Sequence, residues 1–284
     1  ENAFQGNTPV STILNGSFGG TTMTGFTKNG LGTLVLGTSN ALLLTGTVNV
    51  TDGVLQVNQM NALGGSLTAA GARINLAGGA LNQNITTGTI LLNPVTISGS
   101  GMINALVTNA GMSSVTIGTP LITSNTVGFG GGQQTNIFGT FTLGSGTTTL
   151  LTSNNVAVAG TLVSSGTLLK EGFGSLSFYS GGTANGGMVV DQGIVAIATG
   201  SSLTSGSASV NAAGVLRLSG SSNVGGNITV NSDTNGLGVL GLAYAGAAPT
   251  SVTFNSTGTF GGVLAIDAVG FGSTVNLGAL GTGN

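Results

Sequence analysis

A five-residue phrase recurs along the chain and constrains its fold more than any other feature. It reads glycine, a small or β-branched residue, a large apolar residue, any residue, and a second apolar residue. Apolar residues at every second position are typical of strands with one buried face. Within each half of the chain, adjacent copies start 19 to 24 residues apart, so a period near 21 predicts one solenoid coil. The copies begin at Gly32, Gly53, Gly174, Gly193, Gly214, Gly238 and Gly262.

The predicted fold is all-β, a parallel β-helix (β-solenoid). One coil cannot close a core, but coils stacked about 4.8 Å apart pair their backbones and stack their apolar residues inside. Dividing 284 residues by the period gives about 13 coils of roughly 21 residues. We expect residues 1–20 to be an N-terminal extension or assembly strand. Residues 21–284 are then a single continuous β-solenoid, with repeat modules near 26–76 and 168–218.

The chain also contains a second, longer sequence repeat. Residues 26–36 align with residues 168–178 at a constant offset of 142, and a similar second strand follows each. Lys28 aligns with Lys170, while Arg73 falls near Arg217. With Asp52 near Asp191, six of the ten charged residues are expected at equivalent positions of the two modules. The repeated positions are Lys28, Gly30, Gly32, Asp52 and Gly53 in one module, and Lys170, Gly172, Gly174, Asp191 and Gly193 in the other.

These two stretches resemble the passenger-associated repeat of bacterial autotransporters. The likeness lies in the Lys-x-Gly-x-Gly-x-Leu core and the strand after it, and it covers residues 26–57 and 168–197. The resemblance implies a secreted, right-handed parallel β-helix on the cell surface. That family also carries a membrane-embedded β-barrel, and the chain ends without amphipathic strands and aromatic girdles. We therefore expect a released passenger or a free-standing secreted subunit.

The low charge excludes several function classes. Only ten of 284 residues are charged, against about 25% in an average domain. Without His or Cys, the chain cannot form a usual zinc site, a thiolate nucleophile, a Ser-His-Asp triad or a disulfide. Four cations cannot form a nucleic-acid-binding patch, and no apolar run is long enough for a membrane span. We expect no enzyme activity, cofactor or metal.

Local motifs have simple structural interpretations. Lys170 and Glu171 are expected to form a solvated or neighbour-coil ion pair. Asp52 and Asp191 are expected to bond their own backbone in turns. The G-x-G-x-x-G match at residues 236–241 has no βαβ context, so it is not expected to bind a dinucleotide. Thr-x-Thr pairs suggest ice binding as a function. They do not follow the 21-residue period, however, and the β-propensity of threonine accounts for them.

The main functional prediction is a non-enzymatic, self-assembling subunit of an extracellular bacterial filament, fibre or sheath. The chain shows no capping segment, and open solenoid ends present unpaired strands. Val10, Ile13 and Leu14 are the candidate self-assembly contacts, so the expected partner is another copy. The alternative is an autotransporter passenger adhesin that binds cell-surface or matrix components, and a less favoured one is an ice-binding solenoid. The start at Glu1 indicates a secreted chain after signal-peptide removal.

Overall fold

In the computed structural model, most of the described residues lie in β-strands. The described residues are 4–5, 8–9, 11–15, 23–38, 44–59, 61–64, 71–85, 90–91, 93–107, 110–112, 115–117, 124–198, 200–205, 207–211, 213–219, 222–224, 228–230, 232–233, 236–237, 239–243, 252–254, 263–267 and 275–277. Every regular element among these residues is a strand. The chain divides into two compact units, Glu1–Thr142 and Leu143–Asn284, which are taken in turn below. The prediction of one continuous solenoid over residues 21–284 stays a prediction.

The first unit contains short strands that follow the alternating apolar pattern. Its strands are β1 (Phe4–Gln5), β2 (Thr8–Pro9), β3 (Ser11–Leu14), β4 (Met23–Lys28), β5 (Thr33–Leu36), β6 (Leu44–Val50), β7 (Val54–Val57), β8 (Arg73–Leu76), β9 (Ala80–Gln83), β10 (Ile90–Leu91), β11 (Val95–Ile97), β12 (Gly101–Ala105), β13 (Ala110–Met112), β14 (Val115–Ile117), β15 (Ser124–Gly130) and β16 (Thr135–Ile137).

Three parallel sheets organise this unit. Their strand orders are β4-β6-β8-β11-β14, β3-β5-β7-β9-β12-β15 and β10-β13-β16. The chain places one strand in each sheet and then returns to the first, as in β8, β9, β10 and then β11. Three turns of this kind contribute to all three sheets, and two earlier turns, β4-β5 and β6-β7, contribute to two of them. Strands β1 and β2 form a separate antiparallel pair.

The second unit repeats this plan, beginning within β17. Its strands are β17 (Phe141–Leu143), β18 (Thr147–Thr152), β19 (Val156–Val158), β20 (Leu162–Ser164), β21 (Thr167–Glu171), β22 (Ser175–Phe178), β23 (Gly182–Ala184), β24 (Met188–Val190), β25 (Gly193–Ile197), β26 (Ser202–Ser205), β27 (Ala208–Val210), β28 (Gly214–Ser219), β29 (Asn223–Val224), β30 (Ile228–Val230), β31 (Ser232–Asp233), β32 (Gly236–Leu237), β33 (Val239–Ala243), β34 (Val252–Phe254), β35 (Val263–Asp267) and β36 (Val275–Leu277).

Its parallel sheets have the orders β17-β20-β23-β26-β29, β18-β21-β24-β27-β30 and β19-β22-β25-β28-β33-β35. Five turns contribute a strand to all three sheets, the last of them through β29, β30 and β33. With the three of the first unit, the described part of the chain contains eight complete turns. The predicted class, an all-β parallel solenoid, is confirmed. The predicted count of about 13 coils was too high, because it assigned a full coil to every 21 residues of the chain.

The core consists of columns of apolar side chains that run from turn to turn. In the first unit, Leu55, Leu81, Ile103 and Phe129 are register neighbours on consecutive strands. All four are buried. A fully buried side chain of this size contributes about 1.5–3 kcal/mol, so each column stabilises the stacking of several turns. The glycine-led phrases supply one such residue per strand, which explains their period.

Candidate functional site

Both repeat modules build the same corner around a buried lysine. We call residues 28–32 and 170–174 the lysine corners; each begins at the last or next-to-last residue of a strand, β4 or β21. Lys28 Nζ donates hydrogen bonds to the carbonyl oxygens of Asn29, Gly30 and Asp52. These acceptors are the next two residues of the chain and the residue that precedes the glycine of the following coil.

Lys170 makes the matching set of contacts in the second unit. Its Nζ donates to the carbonyl oxygens of Glu171 at 2.9 Å, Gly172 at 2.7 Å and Gln192 at 2.9 Å. An ammonium group has three donors, and each one has an acceptor here. The repeated lysine therefore holds the corner of its own coil and ties that corner to the next coil.

Burial controls the charge state of these lysines. It lowers the pKa of Lys170 to about 8, and the nearby Glu171 carboxylate opposes that shift. Burial also lowers the pKa of Lys28, against the opposing effect of Asp52. The sequence predicted that Lys170 and Glu171 form a solvated or neighbour-coil ion pair. The solvated form is wrong, since the Lys170 side chain is fully buried and its hydrogen bonds, one of them to the next coil, go to backbone carbonyls.

The coil after each lysine corner is one residue shorter at the same place. Lys170 pairs in register with Val190, and Ser175 pairs with Ile194, so four residues lie opposite three. Gly193 lies in this shorter corner with φ of 69°. A Cβ on Gly193 would lie 2.4 Å from the oxygen of Gly172 and 2.6 Å from that of Gly174, so only glycine fits. Gly53 has the same role in the first unit.

The shorter coil leaves the middle residue of the lysine corner uncovered. Gly53 lies against the backbone of Gly30, Leu31 and Gly32, so the Leu31 side chain has no counterpart in that coil. Leu31 is 62% exposed, and the equivalent Phe173 is 84% exposed. A lysine corner thus presents one apolar side chain outward on a backbone that is fixed from within.

The predicted equivalence of six charges holds only for the lysines. Thr51 N and Asp191 N donate to the carbonyls of Lys28 and Lys170, so Thr51 is the counterpart of Asp191. Asp52 is therefore the counterpart of Gln192, which the one-residue offset in the sequence comparison concealed. Arg73 lies in the same sheet as β4, which is the first strand of its module. Arg217 lies in the same sheet as β22, which is the second strand of its module, so the two arginines do not occupy equivalent positions.

The two predicted turn aspartates have different contacts. Asp191 Oδ1 accepts a hydrogen bond from Asn211 Nδ2 at 2.9 Å, which joins the equivalent corner positions of two successive coils. The backbone carbonyl of Asp52 is an acceptor for Lys28 Nζ. These bonds link coils, whereas the sequence predicted bonds within a turn.

The candidate self-assembly residues lie at the N-terminal strand. Ile13 and Leu14 belong to β3, which pairs in parallel with β5, and Ile13 is 58% exposed. Val10 lies outside the described residues. Within the described residues, β3 is the last strand of its sheet. Their proposed contacts with another copy stay a prediction.

Outward positions of the first unit carry amide side chains that bond from coil to coil. In each bond an asparagine Nδ2 donates to the Oδ1 of the asparagine on the neighbouring turn. Uncharged side chains therefore link successive coils on the outward face. The pairs are Asn75 to Asn49 at 3.0 Å, Asn84 to Asn58 at 3.1 Å and Asn104 to Asn82 at 2.8 Å.

A strip of four alternate residues begins in the lysine corner of the second unit. Phe173, Ser175, Ser177 and Tyr179 fall on one side of β22 and its flanks, and we call them the β22 strip. Phe173 and Tyr179 are exposed, whereas the intervening Leu176 and Phe178 are fully buried. This strip was not predicted from the sequence. The alternation of large and small residues around Ser175–Phe178 was the signal that could have revealed it.

Two further searches concern metals and membranes. Within the described ranges, no group of three or more acidic, His or Cys side chains could hold a metal ion. None of the described residues forms a helix of the length and apolar character that a bilayer span requires.

A parallel solenoid with repeated lysine corners fits an autotransporter passenger-like repeat family. The chain is similar to a curated protein, the adhesin BmaC autotransporter of Brucella suis biovar 1 (strain 1330). The two are 28% identical over 98% of this chain, which spans 8% of the length of that relative. No family model matches the chain. No solved structure matches it either.

Proposed function

We propose that this chain is part of the passenger of an autotransporter adhesin and that it binds a cell-surface or matrix component through its outward side chains. The observation that carries this proposal is the similarity to a protein named as an adhesin along 98% of the chain. It supports the passenger interpretation better than the filament that the sequence first suggested. The site of action is the cell surface or the secreted state, as the resemblance implies.

The chemistry of the surface supports a binding role and not an enzymatic one. Acid–base catalysis requires positioned titratable groups. Glu171 and Asp191 lie on successive coils, but the described residues contain no group of three or more acidic side chains that could hold a metal ion. Asp191 is engaged by Asn211, and both buried lysines are engaged by carbonyls. Amide and hydroxyl groups remain as the main polar groups on the outward faces, and such groups recognise a partner through hydrogen bonds.

The direct test is an adhesion assay with the purified chain. Latex beads coated with residues 1–284 are added to cultured mammalian cells and to wells coated with extracellular matrix, and bound beads are counted after washing. Beads coated with albumin and with the urea-denatured chain are the controls. We expect saturable adhesion that soluble folded chain inhibits. Adhesion equal to that of albumin beads on both surfaces would refute the adhesin proposal.

Self-association is a second candidate, favoured by one observation. Ile13 is exposed on β3, whose outer edge has no partner among the described residues, so a strand of another copy fits there. Sedimentation velocity and negative-stain microscopy at high protein concentration test this. We expect concentration-dependent oligomers that Ile13→Lys abolishes; a monomer at every concentration excludes this candidate.

A further inference from the structure

We propose that the β22 strip is a binding site for a neutral glycan, which lies along the strand with Phe173 and Tyr179 at its two ends. This inference rests on the adhesin function proposed above and names the contact residues and the partner class. Among the described residues, no other strand with its flanking residues carries two exposed aromatic side chains.

The first argument is the arrangement of the strip. Phe173 is 84% exposed and Tyr179 is 57% exposed, with the outward Ser175 and Ser177 between them. Between the two residues lie Gly174 and the four residues of β22, Ser175–Phe178, which alone span roughly 13 Å at about 3.3 Å per residue. A sugar ring has an apolar face that stacks on an aromatic ring and hydroxyls that bond to polar side chains. An oligosaccharide of several rings can contact all four residues.

The second argument is the flat floor beside the strip. Ser177 is flanked in register by Ala157 of β19 and Ala196 of β25, so only methyl groups stand next to the central hydroxyl. At one end, Ser175 Oγ donates to Asn155 Oδ1 at 2.9 Å, which orients an exposed amide beside the strip. The two alanines leave room beside Ser177 for a ligand that runs along β22, whereas the half-buried Ile194 lies beside Ser175. The serine and asparagine groups supply donors and acceptors.

The third argument is rigidity. Lys170 Nζ donates to the carbonyls of Glu171 and Gly172, which precede Phe173, and to that of Gln192 in the next coil, and Phe178 anchors the strand in the core. A backbone that is already fixed loses little conformational entropy on binding, so an aromatic contact made from it retains more of its interaction energy. Lys170 is a positioning residue in this scheme and does not touch the ligand.

Charge selects a neutral glycan over a sulfated or sialylated one. The sequence has four cations, and two of them, Lys28 and Lys170, are buried in corners. Arg217 is exposed on β28, two strands from Ser177, and is the one cation of this sheet among the described residues. A protein partner fits less well, because protein interfaces concentrate their aromatic anchors in a closed apolar centre, and here hydroxyls separate the two rings.

The test measures glycan binding by saturation-transfer NMR and on a printed array. The probes are unbranched neutral oligosaccharides of increasing length, with sialylated and sulfated counterparts. Phe173→Ala and Tyr179→Ala are compared with wild type. Leu31→Ala is the matched control, since it removes the equivalent exposed side chain of the other lysine corner. Circular dichroism and urea denaturation check that every variant is folded.

We expect the longer neutral oligosaccharides to bind wild type and Leu31→Ala equally, and each strip variant to lose about tenfold or more in affinity. Preference for sulfated or sialylated probes overturns the inference, as does binding that both strip variants retain. If beads adhere to cells but no oligosaccharide binds, or if removal of cell glycans leaves adhesion unchanged, the adhesin function stands and the glycan site falls. Absence of bead adhesion removes the adhesin function itself.

Discussion

The buried Lys170 makes stability depend on pH in a direction that can be measured. An unfolded lysine keeps its proton up to its ordinary pKa of 10.5, whereas folded Lys170 loses its proton near pH 8. Below pH 8 both states are charged, and the folded state carries the full desolvation penalty. Between pH 8 and 10.5 only the folded state has lost the proton, so the free energy of unfolding rises with pH. The shift of about 2.5 pH units corresponds to about 3 kcal/mol at 1.36 kcal/mol per unit.

The assay compares wild type with Lys170→Met, which keeps the apolar stem and removes the titrating group. Urea denaturation is followed by far-UV circular dichroism from about pH 7 to about pH 11, and the difference between the two proteins is plotted. Taking this difference cancels the contribution of Lys28 and of every other titrating group that the two proteins share. We expect wild type to gain about 3 kcal/mol relative to the variant across this range. A flat difference refutes the desolvation argument. A falling one shows that the three carbonyls hold the ammonium more strongly than burial disfavours it.

Three other substitutions probe stability. Gly193→Ala is expected to lower the free energy of unfolding by about 2 kcal/mol or more, because the new Cβ meets two carbonyl oxygens at a residue with positive φ. Gly132→Ala should change the free energy of unfolding little, because open space surrounds that position. Equal urea midpoints for the two variants would contradict this. Gln83→Met should stabilise the fold by about 1–2 kcal/mol, because the buried Gln83 amide has no hydrogen-bond partner among the described residues. A lower melting temperature for the variant than for wild type would contradict this. Phe178→Ala should cost about 3–5 kcal/mol and Phe173→Ala almost nothing, and similar losses in both would contradict the outward placement of Phe173.

The solenoid was predictable because its signal is periodic. A buried residue at every second position, repeated near every 21 residues, leaves few alternatives to stacked parallel strands. The buried columns that contain Leu55 and Leu176 follow directly from the glycine-led phrases. The coil count failed because a period says how long a coil is, and not how many coils contribute to every sheet.

The corners were harder to predict, because their chemistry lies in backbone atoms. Nothing in the letters Lys-Glu shows that Lys170 turns inward toward three carbonyls, since an adjacent opposite charge is the simpler partner. The exposure of Phe173 depends on the next coil being one residue shorter, which only register reveals. The sequence aligned Lys28 with Lys170, but it assigned Lys170 an ion pair with Glu171 in place of hydrogen bonds to three backbone carbonyls.

The one-residue difference between successive coils also separates the positions of the module that tolerate substitution from those that do not. At the middle of the lysine corner the following coil has no counterpart for the side chain, and the two modules already differ there, with Leu31 in one and Phe173 in the other. The lysine and the glycine of the shorter coil are fixed by contacts that no other side chain reproduces. The module is therefore a cassette whose outward residue can be exchanged without repacking the interior. A library of substitutions at position 173 would sample new surfaces on an unchanged scaffold.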